Sequence, residues 1–269
     1  MRLSEATKRL AEAGIEDARI EARTLFSVFG GLSLADMIGC DPISDDPRLV
    51  EAVMKREKRE PLQYIIGRVD FYRESYKVSP DCLIPRQDTE ILVDLAVRMI
   101  PEGERFVDLC TGSGCVAIST LKNTKNTTAV ALDLSKGALS LARENAELNG
   151  VSDRLTLIEG DVLKECIAGE FFAVLSNPPY VTDTAYTALE PELYFEPKMA
   201  LVGTDEDGAG FYRRIIELYS CAIKDGGFIA LEIGYDQATP LITAAAEHGM
   251  RCEIIKDLSG NDRVALLRK

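Results

Sequence analysis

Histidine is almost missing from this chain of 269 residues: His248 stands alone. Without a second imidazole, the usual zinc-type site has too few ligands, and no metal is expected. His248 itself closes the run Ala244-Ala245-Ala246-Glu247-His248-Gly249 and reads as a helix-end residue. The seven cysteines, at 40, 82, 110, 115, 166, 221 and 252, are odd in number and contain no Cys-x-x-Cys spacing. That pattern fits neither a disulfide framework nor a metal knuckle, so the thiols are expected to be reduced and mostly buried as small hydrophobes. No stretch approaches the roughly 18 to 20 apolar residues of a membrane span. The start, Met1-Arg2-Leu3-Ser4-Glu5-Ala6, lacks the apolar core of a signal peptide. A cytoplasmic protein without membrane contact is expected. Internal repeats and low-complexity tracts are also absent.

Positive charge is scarce as well. Lys and Arg number 31 against 44 Asp and Glu, a formal charge of −13. Proteins that act on nucleic acid need a basic stripe to neutralise phosphates, so the balance argues against direct nucleic-acid binding. Twelve basic and fourteen acidic residues in 1–75 leave −2 there and −11 in residues 76–269. An acidic second part would steer a basic protein partner, or serve solubility alone.

With 46% hydrophobic residues, the chain can bury a large core and is expected to form two domains. Residues 1–65 read as helices: Leu3, Ala6, Leu10 and Ala13 share one face, Ile20, Leu25, Phe26 and Val28 supply a second helix, and Leu49, Val53 and Met54 a third. Lys55 to Glu60 is mixed in sign and reads as a solvated helix end. Residues 66–84, with Val69, Phe71, Tyr72, Tyr76 and Val78, read as a β-hairpin linker. Over 85–269, helical and strand-like segments alternate, as in a doubly wound α/β sheet. Gly227 to Ile233 reads as a fifth strand, and 251–256 with 263–268 as a closing antiparallel pair. Residues 182–208, rich in Asp, Glu, Pro and Gly, read as a lid-like insertion.

Two motifs carry chemistry. Phe172 to Ser176 is an apolar run that ends in Asn177-Pro178-Pro179-Tyr180. An Asn oxygen and a neighbouring backbone carbonyl can each accept one N–H of a planar amino group. The prolines have no N–H, so the turn cannot consume its own carbonyls, and Tyr180 offers a flat face to a conjugated substrate. An ordinary turn after a buried strand is the alternative. Upstream, Phe106 to Ile118 reads as strand, Gly-rich turn and helix start, with Gly112, Gly114 and Ala117 in Gly-x-Gly-x-x-Ala spacing. Asp133 ends the next apolar run, where it can accept ribose hydroxyls. A nicotinamide enzyme would share this much. Asp108, however, would repel a pyrophosphate at the helix N-terminus and attract an ammonium and a sulfonium, which points to S-adenosylmethionine; alternatively it caps the turn. Asp161 can accept an adenine amino group with Val162 against the ring. Either Asp133 or Asp161 could instead be a helix cap or a loop residue.

Together these residues resemble the HemK/PrmC family, which methylates the glutamine of the Gly-Gly-Gln motif in peptide chain release factors and so modulates translation termination. The resemblance runs through Gln63 to Gly67, Leu83 to Glu90, Asp108 to Gly114, Asn177 to Tyr180, Phe195 to Leu201, Leu231 to Gly234 and Lys256 to Val264. It departs at Cys110, where the family usually has Gly, and at Gln87, where Pro is common. The resemblance implies a mostly parallel seven-stranded class I methyltransferase sheet spanning 85–269, preceded by a release factor-binding helical domain; a helical cap that only stabilises the sheet edge is the alternative for the latter. It implies cofactor contacts from Asp108, Cys110, Thr111, Gly112, Ser113, Gly114, Asp133, Leu134, Asp161, Val162 and Asn177. Substrate is expected on Asn177, Pro178, Pro179 and Tyr180, with Asn177, Pro178 and Tyr180 the catalytic set. Pro85, Arg86, Thr89 and Glu90 are expected near the methionine end of the cofactor, Thr89 and Glu90 equally as helix-start residues, while Glu196 and Arg263 read as ion-pair members. Adenine presents a similar conjugated amino group, so an amino methyltransferase acting on nucleic acid or on another protein is the alternative function.

Overall fold

Apolar residues recur at helical spacing in the first part of the chain and as unbroken runs later, and the two patterns fold as two compact units. The structure, a computed structural model, describes residues 1–269. The first unit comprises Met1–Arg68 with Glu190–Phe195, and the second Val69–Leu189 with Glu196–Lys269.

The first unit holds helices α1 (Leu3–Glu12), α2 (Ala18–Gly30), α3 (Pro47–Glu57) and α4 (Leu62–Ile66). Its core is Leu3, Ala6 and Leu10 of α1, Ala18, Ala22, Leu25 and Phe26 of α2, and Leu49, Ala52 and Val53 of α3. The α2 stripe therefore runs through 18, 22, 25 and 26, which leaves Ile20 (64% exposed), and with it Val28, facing solvent. Met54 is likewise exposed. The mixed-sign segment is only partly solvated, because Arg56 is buried. Its guanidinium donates to Glu21 at 2.5 Å and to Glu192 Oε1 at 2.9 Å, and Arg59 donates to Glu192 Oε2 at 2.7 Å. Those bonds secure the segment 190–195, read from sequence as part of a lid, within this unit.

Starting at the boundary between the units, β1 (Arg68–Phe71) and β2 (Glu74–Lys77) form a hairpin whose turn residues Tyr72 and Arg73 have positive φ. Phe71 meets Tyr76 edge to face at 5.9 Å, and the Tyr76 hydroxyl lies 2.6 Å from Ser119 Oγ. Thus the hairpin is packed into the core rather than serving only as a linker. There follow α5 (Glu90–Met99), β3 (Arg105–Leu109), α6 (Cys115–Asn123), β4 (Thr128–Asp133), α7 (Lys136–Asn149), β5 (Leu155–Glu159) and β6 (Phe171–Ser176). The chain continues through α8 (Asp183–Tyr186), α9 (Lys198–Leu201), α10 (Gly210–Tyr219), β7 (Ile223–Glu232), α11 (Ala238–Glu247), β8 (Arg251–Lys256) and β9 (Asp262–Arg268).

The seven strands order as β5-β4-β3-β6-β7-β9-β8, parallel from β5 to β7, with β9 antiparallel to both β7 and β8. Both faces of the central strands are buried, one under Leu92 and Ala96 of α5 and Ile118 and Leu121 of α6, the other under Tyr212 and Ile216 of α10 and Leu241 and Ala245 of α11. That double burial is why their sequences are apolar without alternation. From β3 the chain winds outward through β4 and β5, then returns to β6 on the other side. The crevice at the carboxyl ends of β3 and β6 is therefore the topological switch point, where open α/β sheets bind ligands. Cysteine burial differs from expectation: only Cys82 and Cys115 are buried, while Cys40, Cys166 and Cys221 are exposed. The thiols have no common environment, being scattered over core, cavity and surface.

Candidate active site

A cavity of about 290 Å³ opens at that switch point. Strand register builds it. Leu109 and Ser176 end their strands side by side, and the Ser176 hydroxyl donates to the Leu109 carbonyl at 2.7 Å. The turn after β3 and the tetrapeptide after β6 thus leave the sheet together. Ends of β4 and β5 complete the wall with Asp133, Leu134, Ser135, Gly160, Asp161, Val162 and Leu163.

Asp108, 1% exposed, closes the floor. Its Oδ2 accepts from the Thr111 hydroxyl at 2.6 Å and from the Ala117 N–H at 3.2 Å, leaving Oδ1 without a protein donor. Burial pushes this carboxyl up to about 7, against the pull of those two donors. Asp133 accepts from Gly112 N–H at 2.8 Å and from Ser135 N–H at 2.9 Å. It is also shifted upward by burial. Ser135 caps α7 by accepting from Ala138 N–H. Asp161 accepts from Leu163 N–H at 3.0 Å and pairs with Lys164 at 2.9 Å, and the Lys164 bond holds its carboxyl below the ordinary range. Each carboxylate oxygen has two lone pairs, so Asp133 and Asp161 retain accepting capacity. Four carboxylates line the cavity, those of Asp81, Asp108, Asp133 and Asp161, against one guanidinium, Arg86.

Of the residues expected at a cofactor, Asp108, Cys110, Thr111, Gly112, Ser113, Asp133, Leu134, Asp161, Val162 and Asn177 line this cavity, and Gly114 does not. Gly114 has φ +81, and a Cβ there would lie 2.8 Å from Ile118 Cδ1 and 3.2 Å from Ala142 Cβ. The left-handed φ and the close approach of Ile118 and of Ala142 on α7 are enough to require glycine. Cys110 takes the left-handed conformation, φ 57, without being glycine. The Ser113 hydroxyl is buried with no partner in the chain.

In the tetrapeptide, Asn177 and Pro179 reach the cavity, whereas Pro178 and Tyr180 do not line it. Asn177 Nδ2 donates to Thr89 Oγ1 at 3.1 Å, which turns Oδ1 away from that hydroxyl and frees it to accept. Tyr180 points back into the protein: its hydroxyl donates to Glu232 Oε1 at 3.4 Å, and its carbonyl accepts from Gln237 Nε2 at 3.0 Å. Its hydroxyl and carbonyl are thus held by the protein, and its ring does not line this cavity. Hydrogen bonds from Val181 N–H to Leu201 and from Gly203 N–H to Val181 lash the following insertion to the turn at 2.9 Å each. The approach is close enough that a Cβ on Gly208 would meet the Tyr180 carbonyl at 2.3 Å.

Pro85, Arg86 and Thr89 also line the cavity. Arg86 pairs with Glu196, whose other oxygen accepts from Ile84 N–H at 2.9 Å, and Arg263 pairs with Asp257 and Asp88. Cys82, Leu163, Met199 and Phe211 are also in the lining, and sequence reasoning named none of the four as site residues. Cys82, Leu163 and Phe211 come from segments with no motif of their own, the hairpin exit, the turn after β5 and α10, whereas Met199 of α9 sits in the family-like segment Phe195 to Leu201. Gly203, Gly208 and Gln237, which brace the tetrapeptide, were missed too; glycines clustered after Asn-Pro-Pro-Tyr were the available signal.

The strand order, the acidic crevice and the Gly-rich turn define a class I methyltransferase, and S-adenosylmethionine is its cofactor. Residues 87–200 match the methyltransferase small domain family, and residues 2–67 the PrmC N-terminal domain family. A methyltransferase from Pyrococcus furiosus shares the fold, with TM-score 0.54 and 19% identity over 71% of this chain and 86% of that one. The release factor glutamine methyltransferase of Geobacter sulfurreducens is 37% identical over 95% of this chain and 91% of its own. That of Caulobacter vibrioides is 35% identical over 97% and 93%. The chain belongs to the release factor glutamine methyltransferase family.

Proposed function

We propose that this protein transfers a methyl group from S-adenosylmethionine to the side-chain amide nitrogen of the glutamine in the Gly-Gly-Gln motif of peptide chain release factors, and thereby modulates translation termination in the cytoplasm. The observation that carries the proposal is Asn177: its Nδ2 is engaged by Thr89, so its Oδ1 is presented at an acidic cavity. When bound, the cofactor supplies a methyl group on a cationic sulfur. Asp108 Oδ1 and the unpartnered Ser113 hydroxyl suit its ammonium end, Asp133 its ribose hydroxyls, and Asp161 with Val162 and Leu134 its adenine. Cys110, Thr111 and Gly112 contribute the backbone of the turn. The four carboxylates of the lining fit a cationic ligand and oppose a pyrophosphate.

An amide nitrogen is a poor nucleophile because its lone pair is delocalised into the carbonyl. Positioning must therefore supply much of the acceleration, and orientation alone can be worth on the order of 7 to 11 kcal/mol. Asn177 Oδ1 accepts one N–H of the glutamine amide, and the carbonyl of Pro178, which lies outside the cavity lining, accepts the other, so that the amide sits at the cavity edge with its nitrogen toward the donor. The same acceptors stabilise positive charge as it develops on nitrogen. Pro179, on the cavity wall, supplies apolar contact. Tyr180 contributes by fixing the turn through Glu232 and Gln237. A glutamate side chain offers no N–H to these acceptors, and sites built on hydrogen bonds reject such analogues by about 10⁴ or more. The helical first unit is assigned to release factor binding on the strength of the relatives' names and of its own family match.

The test offers labelled S-adenosylmethionine with release factor, with a Gln→Ala variant of its Gly-Gly-Gln loop, and with DNA. Label is expected on the first alone. Label on DNA, or equal label on the Gln→Ala variant, refutes the reading. In the same assay Asn177→Ala is expected to lose about 3 to 4 kcal/mol of transition-state stabilisation, by analogy with removal of one oxyanion-hole donor, while cofactor affinity is retained.

A further inference from the structure

The Gly-rich turn is gripped from behind by a side chain that the chemistry above leaves unused. Asn145, on α7, is fully buried and does not line the cavity. Its Oδ1 accepts from Lys77 N–H at 2.8 Å, and its Nδ2 donates to the Lys77 carbonyl at 3.1 Å and to the Ser113 carbonyl at 3.0 Å. The amide oxygen and both amide hydrogens are thereby committed to backbone. Lys77 ends β2, so this one side chain joins the edge of the hairpin to the turn between β3 and α6. Its reach depends on Gly114. Ala142 and Asn145, three residues apart, share one face of α7, and a Cβ on Gly114 would lie 3.2 Å from Ala142 Cβ. Glycine there lets that face of the helix come against the turn.

What the grip controls is Ser113. This residue lines the cavity at 1% exposure, and its hydroxyl has no partner in the chain, a costly arrangement unless a ligand engages it. It stands between Gly112 and Gly114, both at positive φ, so the links on either side are the freest a chain can have. A carbonyl just ahead of a helix ordinarily receives the N–H four residues on. For Ser113 that is Ala117, whose N–H goes to Asp108 Oδ2 instead, and the Ser113 carbonyl is left to Asn145. We infer that Asn145 is a positioning residue for the cofactor: by fixing the Ser113 carbonyl against β2, it sets the Ser113 hydroxyl where the ammonium end binds. The inference rests on the proposed placing of that ammonium at Asp108 and Ser113.

The experiment measures the Kd for S-adenosylmethionine by calorimetry, with kcat and the KM for release factor at saturating cofactor, in Ser113→Ala, Asn145→Ala, the double variant and Leu267→Ala. Leu267 is buried in β9 outside the cavity lining and reports lost stability alone. Ser113→Ala is expected to raise Kd by about tenfold or more, the usual weight of a hydrogen bond to a charged group. Asn145→Ala is expected to do the same, with kcat and the release factor KM within about twofold of the parent. Because the effect passes through the hydroxyl, Asn145→Ala is expected to change Kd by less than about twofold in the Ser113→Ala background, a non-additivity that a merely structural role would not produce. Leu267→Ala is expected to lower the unfolding midpoint and keep the parental Kd. A parental Kd in Asn145→Ala overturns the inference, as does a full Asn145→Ala effect in the Ser113→Ala background, or a Kd raised as far by Leu267→Ala. Should Asn145→Ala fail to fold, a crystal structure of the parent with S-adenosylmethionine decides: the Ser113 hydroxyl on the ammonium with the Asn145 bond intact sustains the inference, and either contact beyond hydrogen-bond reach overturns it. Weakened binding in Ser113→Ala with parental Asn145→Ala defeats only the positioning, whereas a parental Kd in Ser113→Ala defeats the underlying placing of the ammonium.

Discussion

Asp108 is held at a loss in the ligand-free protein, and the size of the loss can be worked out. Its carboxyl moves from an ordinary 3.8 to about 7, chiefly through burial. At about 1.4 kcal/mol per pH unit, the shift corresponds to a ceiling of about 4 kcal/mol. The sign follows from proton counting. Between about pH 4 and pH 7 the folded protein holds a proton on Asp108 that the unfolded chain has released, so stability falls as pH rises through this window and levels off above it. An amide in place of this carboxyl would carry no such cost, and it can still present its oxygen to Thr111 and Ala117 in the place of Oδ2. Asp108→Asn is therefore expected to lie about 1 kcal/mol above the parent at about pH 4.5 and up to about 4 kcal/mol above it at about pH 8, measured by urea unfolding. Glu232 and Asp133, also shifted upward by burial, titrate in both proteins and largely cancel in the difference. S-adenosylmethionine at about a hundred times its Kd is expected to return about 2.7 kcal/mol to the parent and little to the variant. A stability gap that is the same at both pH values refutes the burial argument. Equal stabilisation of both proteins by the cofactor refutes the assignment of Asp108 to its ammonium.

Three further outcomes are expected. Cys110 occupies a left-handed position, so Cys110→Val is expected to lower stability by about 1 to 2 kcal/mol relative to Cys110→Gly in thermal or urea unfolding, although valine is the better hydrophobe. Arg56 is 7% exposed at its side chain and serves both Glu21 and Glu192; Arg56→Met leaves these carboxylates without its guanidinium and is expected to destabilise by roughly 3 kcal/mol or more, with earlier proteolysis near residues 190–195. Brief alkylation of the native protein, read by peptide mass spectrometry, is expected to label the exposed Cys40, Cys166 and Cys221 and to spare Cys82, Cys110 and Cys115, whose thiols burial pushes up.

Much of this site could be read from the sequence because its parts are local. A strand end followed by Gly-rich turn and helix start is encoded within Phe106 to Ile118, and Asp133 marks the next strand end by its place after an apolar run. The expected α/β sheet and its antiparallel close are the observed ones, since unbroken apolar runs separated by helices have few other ways to bury both faces. What stayed hidden depends on contacts between distant segments. Arg56 reads as a surface charge until Glu192, 136 positions away, is brought beside it. Tyr180 reads as a side chain at a free turn until its hydroxyl and carbonyl are tied to Glu232 and Gln237.

The same distinction explains the asymmetry of the tetrapeptide. Asn177 lies one residue past a strand whose end is pinned to Leu109, so its position follows from the sheet. Its orientation does not. An amide is nearly symmetric in shape, and the bond from its Nδ2 to Thr89 Oγ1, 88 positions away in sequence, is what leaves Oδ1 free to accept. Position is thus set by local sequence and sheet register, while orientation is set by a partner from a distant segment. A substitution at Thr89 would remove that partner while leaving Asn-Pro-Pro-Tyr unchanged, so the motif alone does not state what its amide presents.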